Sequence, residues 1–184
     1  LVGSWHFSEA ITATTTADAS GNGNNGTLTN GAVITTTGRF GNGCSFDGTN
    51  DYVNFGTGAL NLMKNTNIYT IEGWFYSTEN SNIYFSSSVN ANELYLYDIA
   101  GKLRVNRITR NKDSNVSVLY NQWQHIALVF TSATNVDIYS NGQYTDSVTV
   151  AAPSNSAGSF YLGAYYDGTL TFNGLLDEPR IYNR

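Results

Sequence analysis

Every apolar run in this chain is short and stops at a cluster of Gly, Asn, Asp, Ser or Pro. That spacing restricts the chain to short strands joined by turns. The runs read as strands at Leu1 to Phe7, Ala32 to Thr36, Cys44 to Asp47, Tyr52 to Phe55, Tyr69 to Tyr76, Ile83 to Ser86 and Glu93 to Asp98. They continue at Leu103 to Thr109, Trp123 to Thr131, Val136 to Ser140, Tyr144 to Val150, Phe160 to Tyr165 and Leu175 to Tyr182. Asn141-Gly142 is the strongest hairpin signal, because a type I′ turn needs positive φ at both central residues. No stretch has a convincing helical period, although Leu60 to Lys64 has room for one turn. Pro153 and Pro179 fall near strand ends, where a missing N–H is tolerated.

Two strands read as apolar on both faces. Trp123, His125, Ala127 and Val129 share one face, and Gln124, Ile126, Leu128 and Phe130 the other. In Tyr69 to Tyr76, Ile71 and Phe75 oppose Trp74 and Tyr76. Such strands belong in the middle of a sheet with cover on both sides. The fold expected is all-β, a two-sheet antiparallel β-sandwich of jelly-roll type. The 184 residues suit a single domain, 1–184, with the character of a monomeric module cut from a larger protein.

Composition narrows the partners. Charged residues make up 12%, against roughly 25% in ordinary soluble domains. Ser, Thr, Asn and Gly fill the surface, a balance that leans towards an extracellular setting: secreted, cell-surface or virion-surface. The net charge of −5 and the lack of a basic patch argue against nucleic acid. No apolar run approaches the roughly 20 residues of a membrane span. Cys44 is the sole cysteine and reads as a small buried apolar residue.

The stretch Asp18-Ala19-Ser20-Gly21-Asn22-Gly23-Asn24-Asn25-Gly26 places oxygen-bearing side chains at 18, 20, 22 and 24 with glycines among them. A tight loop of that kind aims several hard oxygens at one centre, as Ca²⁺ prefers. Asp177-Glu178 is a second acidic feature. The competing reading is an Asx turn at Asp18, with Asp177 capping backbone N–H groups.

These segments, taken in order, resemble the laminin-G-like, concanavalin A-like jelly-roll domains of bacterial, archaeal and viral surface proteins. The resemblance is carried by Leu1-Val2-Gly3-Ser4-Trp5-His6-Phe7, the Asp18 to Gly26 loop, Gly38-Arg39-Phe40-Gly41 and Phe46-Asp47-Gly48-Thr49-Asn50-Asp51-Tyr52-Val53. Ile71, Trp74, Trp123-Gln124-His125-Ile126-Ala127 and Gly174-Leu175-Leu176-Asp177-Glu178-Pro179-Arg180-Ile181-Tyr182 complete it. Pro179 departs from the family pattern, where a β-branched residue is usual. The resemblance implies a structural Ca²⁺ joining the loop to the closing strand. Its carried-over ligands are Asp18, Asp177 and Asn22, with Ser20, Asn24 and Glu9 as secondary candidates.

The same superfold includes glucanases, whose catalytic carboxylates alternate along one strand as Glu-x-Asp-x-Glu. No such segment occurs here. Glu72, Glu79, Glu93 and Asp98 are scattered, and His125 reads as a hydrogen-bonded core residue. Alternation instead suggests a binding surface. Tyr84, Tyr95, Tyr97, Arg104 and Asn106 are expected to point outward from three neighbouring strands, as a tyrosine platform for sugar rings. Cross-strand pairing of the same tyrosines is the alternative. Tyr165 and Tyr166 form a second candidate. The sequence therefore reads as a non-catalytic carbohydrate-binding or adhesion module stabilised by calcium. A structural spacer or protein-interaction domain, including one from a virion or tail protein, is the alternative; a glycoside hydrolase lacks its carboxylate pair.

Overall fold

The computed structural model describes residues 1–59, 67–80, 83–87, 94–107, 110–152, 158–165 and 169–184, without the side chains of Ile83 and Arg110. The strands are β1 (Gly3–Ser4), β2 (Thr15–Thr16), β3 (Gly26–Thr29), β4 (Val33–Gly38), β5 (Gly41–Asp47), β6 (Tyr52–Asn54), β7 (Tyr69–Ser77) and β8 (Ile83–Ser87). They continue with β9 (Leu94–Ile99), β10 (Lys102–Arg107), β11 (Arg110–Ser117), β12 (Trp123–Phe130), β13 (Asn135–Ser140), β14 (Gln143–Thr149), β15 (Phe160–Leu162) and β16 (Asn173–Tyr182). One sheet runs β14-β13-β12-β7-β16-β5-β4, with β1 also on β16; the other runs β11-β10-β9-β8-β15-β6-β3-β2. All ladder pairs are antiparallel, and the all-β sandwich expected from the sequence is the fold.

Alternation along the strands builds the core. Ile71, Phe75, Ile126, Leu128, Phe130, Ile138 and Leu176 of the first sheet face Val53, Phe85, Leu96, Leu103, Val105, Phe160 and Leu162 of the second, and all are buried. Cys44 is buried among them. Arg107 also points inward. Its guanidinium bonds to Tyr69 Oη at 2.9 Å and lies 5.1 Å from the Phe130 ring. Burial pulls its pKa down. At one end of the sandwich, Asn115 N donates to Asp146 Oδ2 at 2.7 Å and clips edge strand β11 to edge strand β14.

Several local expectations need correction. The first strand shrinks to Gly3–Ser4, and β2, β3 and β11 form in segments whose polar composition gave no strand signal. Pro179 lies inside β16, not at its end. There the register slips between Asp177 and Arg180, so that one residue is extra, and Glu178 takes φ of 53°. A β-bulge tolerates proline because the ladder bond is already lost. The Asn141-Gly142 turn forms as expected, with φ of 50° and 79°. Leu60 to Lys64 and Pro153 lie outside the described residues.

The first residues are tied in by Trp5. Its indole is fully buried, lies 4.1 Å from the Phe55 ring, and donates from Nε1 to Asn24 O at 2.7 Å. Trp5→Ala is expected to destabilise the domain by about 3–5 kcal/mol, read from urea unfolding at constant slope. A loss below about 1 kcal/mol would show that the N-terminal segment is not part of the cooperative unit.

Candidate functional site

The outer face of the first sheet is open, and aromatic. On β7 the outward residues are Thr70, Glu72, Trp74 and Tyr76, and on β12 they are Trp123, His125, Ala127 and Val129; all but the buried Ala127 are half-buried. Trp74 lies 5.2 Å from the His125 ring, and Tyr76 lies 5.7 Å from Trp123. The sequence placed these strands mid-sheet correctly, but not their cover. The face read as buried is the floor of a cleft of about 550 Å³ lined by Arg39, Trp74, Trp123, His125, Asn141 and Gly142. A shallower hollow of about 260 Å³ continues it past His125 along Glu72, Val129 and Tyr139.

Two turns make the walls. The β4–β5 turn folds over the sheet because Asp177, buried at the β16 bulge, accepts from Phe40 N at 2.9 Å, from Arg39 N and from Glu178 N at 2.8 Å. This sets the Arg39 guanidinium 4.7 Å from the Trp74 ring and 4.8 Å from Phe40, a cation–π arrangement. Phe40 meets Trp74 edge-on at 5.7 Å. Opposite, the β13–β14 turn is drawn onto β12. Asn141 N donates to His125 O, and Asn141 Oδ1 accepts from His125 N, both at 2.8 Å. His125 is thus not a core residue. Its Nε2 lies 3.8 Å from Glu72 Oε2, and burial, against the pull of Glu72, lowers its pKa. Tyr182 Oη donates to Glu72 Oε1 at 3.1 Å. Further along β16, Glu178 holds both His6 Nδ1, at 2.7 Å, and Arg180.

The tyrosine platform on the other sheet is half present. Tyr95 and Tyr97 point outward as expected, with rings 5.5 Å apart, and Tyr165 meets Tyr95 at 5.2 Å. Arg104 pairs with Asp113 and reaches Tyr97 Oη at 3.3 Å. Tyr84 does not belong to it. A register shift between Ile83 and Phe85 turns Tyr84 inward, 2% exposed, against Phe75 at 4.9 Å and Phe172 at 5.3 Å. Asn106 has the outward phase but is 3% exposed, because its side chain is closed under Asn111. Tyr166 and Glu93 lie outside the described residues.

The Asp18 loop does different work from a cation cage. Asp18 Oδ1 accepts from Ser4 N at 3.0 Å and Ser20 N at 2.8 Å, and Oδ2 accepts from Asn24 N at 2.9 Å. Asn22 and Asn24 turn their Nδ2 groups onto Val2 O at 3.1 and 2.9 Å, and Ser20 Oγ donates to the same carbonyl. Asn24 is buried. The loop is a latch that holds the N-terminal segment on the sandwich, the Asx-turn alternative weighed above. The Asp18 carboxylate fits a metal poorly, since both its oxygens already accept from backbone N–H groups, and Asn22 and Asn24 turn nitrogens, not oxygens, towards the centre of the loop. Glu9 fits better. Its Oε1 accepts from Ala17 N at 2.7 Å, but Oε2 is shielded from solvent with no hydrogen-bond partner. An orphaned buried carboxylate oxygen is costly without a cation or donor. The Glu9 backbone carbonyl accepts from Asn42 Nδ2 at 3.1 Å, which ties this segment to the start of β5. Among the described residues, no three His, Cys, Asp or Glu side chains converge to hold a metal by themselves.

A family model described as the concanavalin A-like lectin/glucanases superfamily, of laminin G type, matches residues 47–184. The chain belongs to that superfamily. No curated protein matches it by sequence. Among solved structures, domain 4 of AbnA, a GH43 extracellular arabinanase from Geobacillus stearothermophilus in complex with arabinotriose, aligns with TM-score 0.76 at 22% identity, over 100% of this chain and 92% of that one. The binding domain of Paraclostridial Mosquitocidal Protein 1 aligns with TM-score 0.75 at 18% identity, over 100% and 49%. The binding domain of Botulinum Neurotoxin DC in complex with SialylT aligns with TM-score 0.70 at 16% identity, over 100% and 48%. This chain therefore spans about half of each toxin domain. At these identities the likeness is one of fold.

Asp18 and Asp177 respond to pH with opposite signs. Burial pushes the Asp18 carboxyl up, but the bonds from Ser20, Asn24 and Ser4 outweigh it and hold its pKa below the usual range. Its contribution is complete above the unfolded value of about 3.9 and is lost as pH falls through the folded one. Burial raises Asp177, so its contribution instead declines as pH rises through its folded pKa. Asp18→Asn is expected to lower the melting temperature at pH 7 and to flatten its fall below about pH 4. A melting profile that coincides with the parent's from pH 2 to 7 would refute the latch.

Proposed function

We propose that this chain is a non-catalytic carbohydrate-binding module of a secreted or surface protein, with the sugar seated on Trp74 and Trp123. The observation that carries the reading is the cleft itself, an aromatic floor between two turns that are each held by hydrogen bonds. Sugar CH faces pack on indole rings, and hydroxyls find partners in Arg39, His125 and Asn141, as in other concave apolar sites with a few convergent polar groups. The aligned arabinanase domain, in complex with arabinotriose, and the toxin domain, in complex with SialylT, are in keeping with it. Glycoside hydrolysis needs two carboxylates across the bond. The cleft lining contributes none, and its extension contributes Glu72, already engaged by Tyr182.

Glycan binding is read by calorimetry on the hits of a glycan array. Trp74→Ala and Trp123→Ala are each expected to weaken binding by about 2 kcal/mol or more, roughly thirtyfold in Kd. Their melting temperatures should stay close to the parent's, since both rings are half exposed. Tyr95→Ala should leave binding unchanged. The reverse pattern moves the site to the tyrosine face, and normal binding by all three variants removes it from both sheets.

We further propose that a calcium ion stabilises the module beside the N-terminal segment, with Glu9 supplying its carboxylate. The orphaned Glu9 Oε2 supports this. Such an ion would give the shielded Glu9 oxygen the positive partner that it lacks. EDTA is expected to lower the melting temperature of the parent protein. A ligand at 100 times its Kd adds about 2.7 kcal/mol. Glu9→Gln should abolish the sensitivity, whereas Asp18→Asn should keep it. An identical melting curve with and without EDTA overturns the calcium.

A further inference from the structure

We infer that the cleft selects an acidic sugar, a uronate whose carboxylate pairs with Arg39 while its ring packs on Trp74. This rests on the carbohydrate-binding reading above and adds the class of ligand to it. The chain as a whole carries −5, yet the charge at the cleft wall is a cation. Among the described residues no carboxylate pairs with Arg39. The neighbouring acids are engaged elsewhere: Asp177 with the backbone N–H groups of Arg39, Phe40 and Glu178, Glu72 with Tyr182 and beside His125, and Glu178 with Arg180 and His6. Arg39 rests on two aromatic rings, 4.7 and 4.8 Å from the guanidinium carbon. A guanidinium stacked by its face still offers its N–H edge, the fork that matches a planar carboxylate in two parallel bonds.

The rest of the lining has the same polarity. Asn141 Oδ1 is taken by His125 N, which leaves the Nδ2 donor. Neither Trp74 Nε1 nor Trp123 Nε1 has a protein acceptor among the described residues. Apart from the His125 imidazole, which has one donor and one acceptor nitrogen when neutral, the polar side-chain groups that the cleft keeps for a ligand are donors: guanidinium, amide and two indole N–H groups. A neutral sugar brings hydroxyls that donate as well as accept, and it would leave part of this set unmatched. A carboxylate brings acceptors only. Burial of a donor against no acceptor is penalised, so the lining discriminates towards acceptor-rich rings.

The test is calorimetry with uronate oligosaccharides from polygalacturonate, alginate, glucuronoxylan and hyaluronan. Each is paired with its methyl ester, and neutral arabinan and galactan oligomers of equal length are run alongside. At least one free acid is expected to bind about ten- to a hundredfold tighter than its ester. That advantage should shrink with added salt. Arg39→Gln should bring acid and ester to the same affinity, Arg39→Lys should leave an intermediate preference, and melting temperatures should match the parent's. Trp74→Ala should weaken every ligand alike. If neutral sugars bind in a Trp74-dependent way but no acid outperforms its ester, the acidic selectivity is wrong and the sugar cleft stands. If no oligosaccharide binds, both fall. A sulfated oligosaccharide, tested as κ-carrageenan fragments, that binds tighter than every uronate overturns the carboxylate as the recognised group.

Discussion

One extra residue in β16 organises this molecule. Where Asp177 to Arg180 passes Trp74 to Glu72, the closing strand has one residue more than its partner. The bulge accommodates a proline with no N–H, puts Glu178 into the left-handed region and turns Glu178 N onto Asp177, which alternation opposite Trp74 has set on the open side of the sheet beneath the β4–β5 turn. With that carboxylate in place, Arg39 and Phe40 are folded onto Trp74, and the flat outer face of a sheet becomes a walled cleft. The turn opposite is held by backbone and side-chain bonds between Asn141 and His125. The walls are therefore fixed to β16 and β12, on either side of β7, rather than to each other, and the floor between them is preformed.

Two aspartates with similar surroundings serve separate regions. Asp18 gathers N–H groups from Ser4, Ser20 and Asn24 and so seats the N-terminal segment beside β16. Asp177 gathers N–H groups from the β4–β5 turn and so shapes the cleft. Burial disfavours the charge at both. Three short bonds overcome it at Asp18 and fail to at Asp177, which is why their pKa values move apart.

The strand pattern, the sandwich and the Asn141-Gly142 hairpin were legible because period-2 alternation and turn chemistry are local properties. The importance of Asp18 and Asp177 was legible too, but not their roles, since a carboxylate that binds backbone donors and one that binds a cation look alike in sequence. The open face of β7 and β12 was hidden for a related reason. Trp74, Trp123 and Val129 are as apolar as their inward neighbours, so alternation showed two apolar faces and could not say which lacked a cover. The signal that would have found the cleft is Arg39 beside Phe40 in a glycine-flanked turn, an exposed pair with no place in a core. Tyr84 was misassigned because the irregularity there puts two successive residues, Tyr84 and Phe85, on the core side, and nothing in Ile83 to Phe85 marks it.

The position of β16 has a consequence for how the chain reaches this state. It lies between β7 and β5 and also carries β1, so strands made early pair with one made late. Until residues 173–182 are available, β7 and β5 have no shared neighbour, and each exposes a row of unpaired backbone groups. The central ladder closes loops of a hundred residues or more: Glu72 meets Arg180, and Gly3 meets Ile181. Such long-range closure slows folding relative to local hairpins. During synthesis on the ribosome, the half of the sandwich that carries the cleft floor therefore waits for its middle strand, and the sparse charge of the chain leaves those open edges as its period of greatest exposure to aggregation.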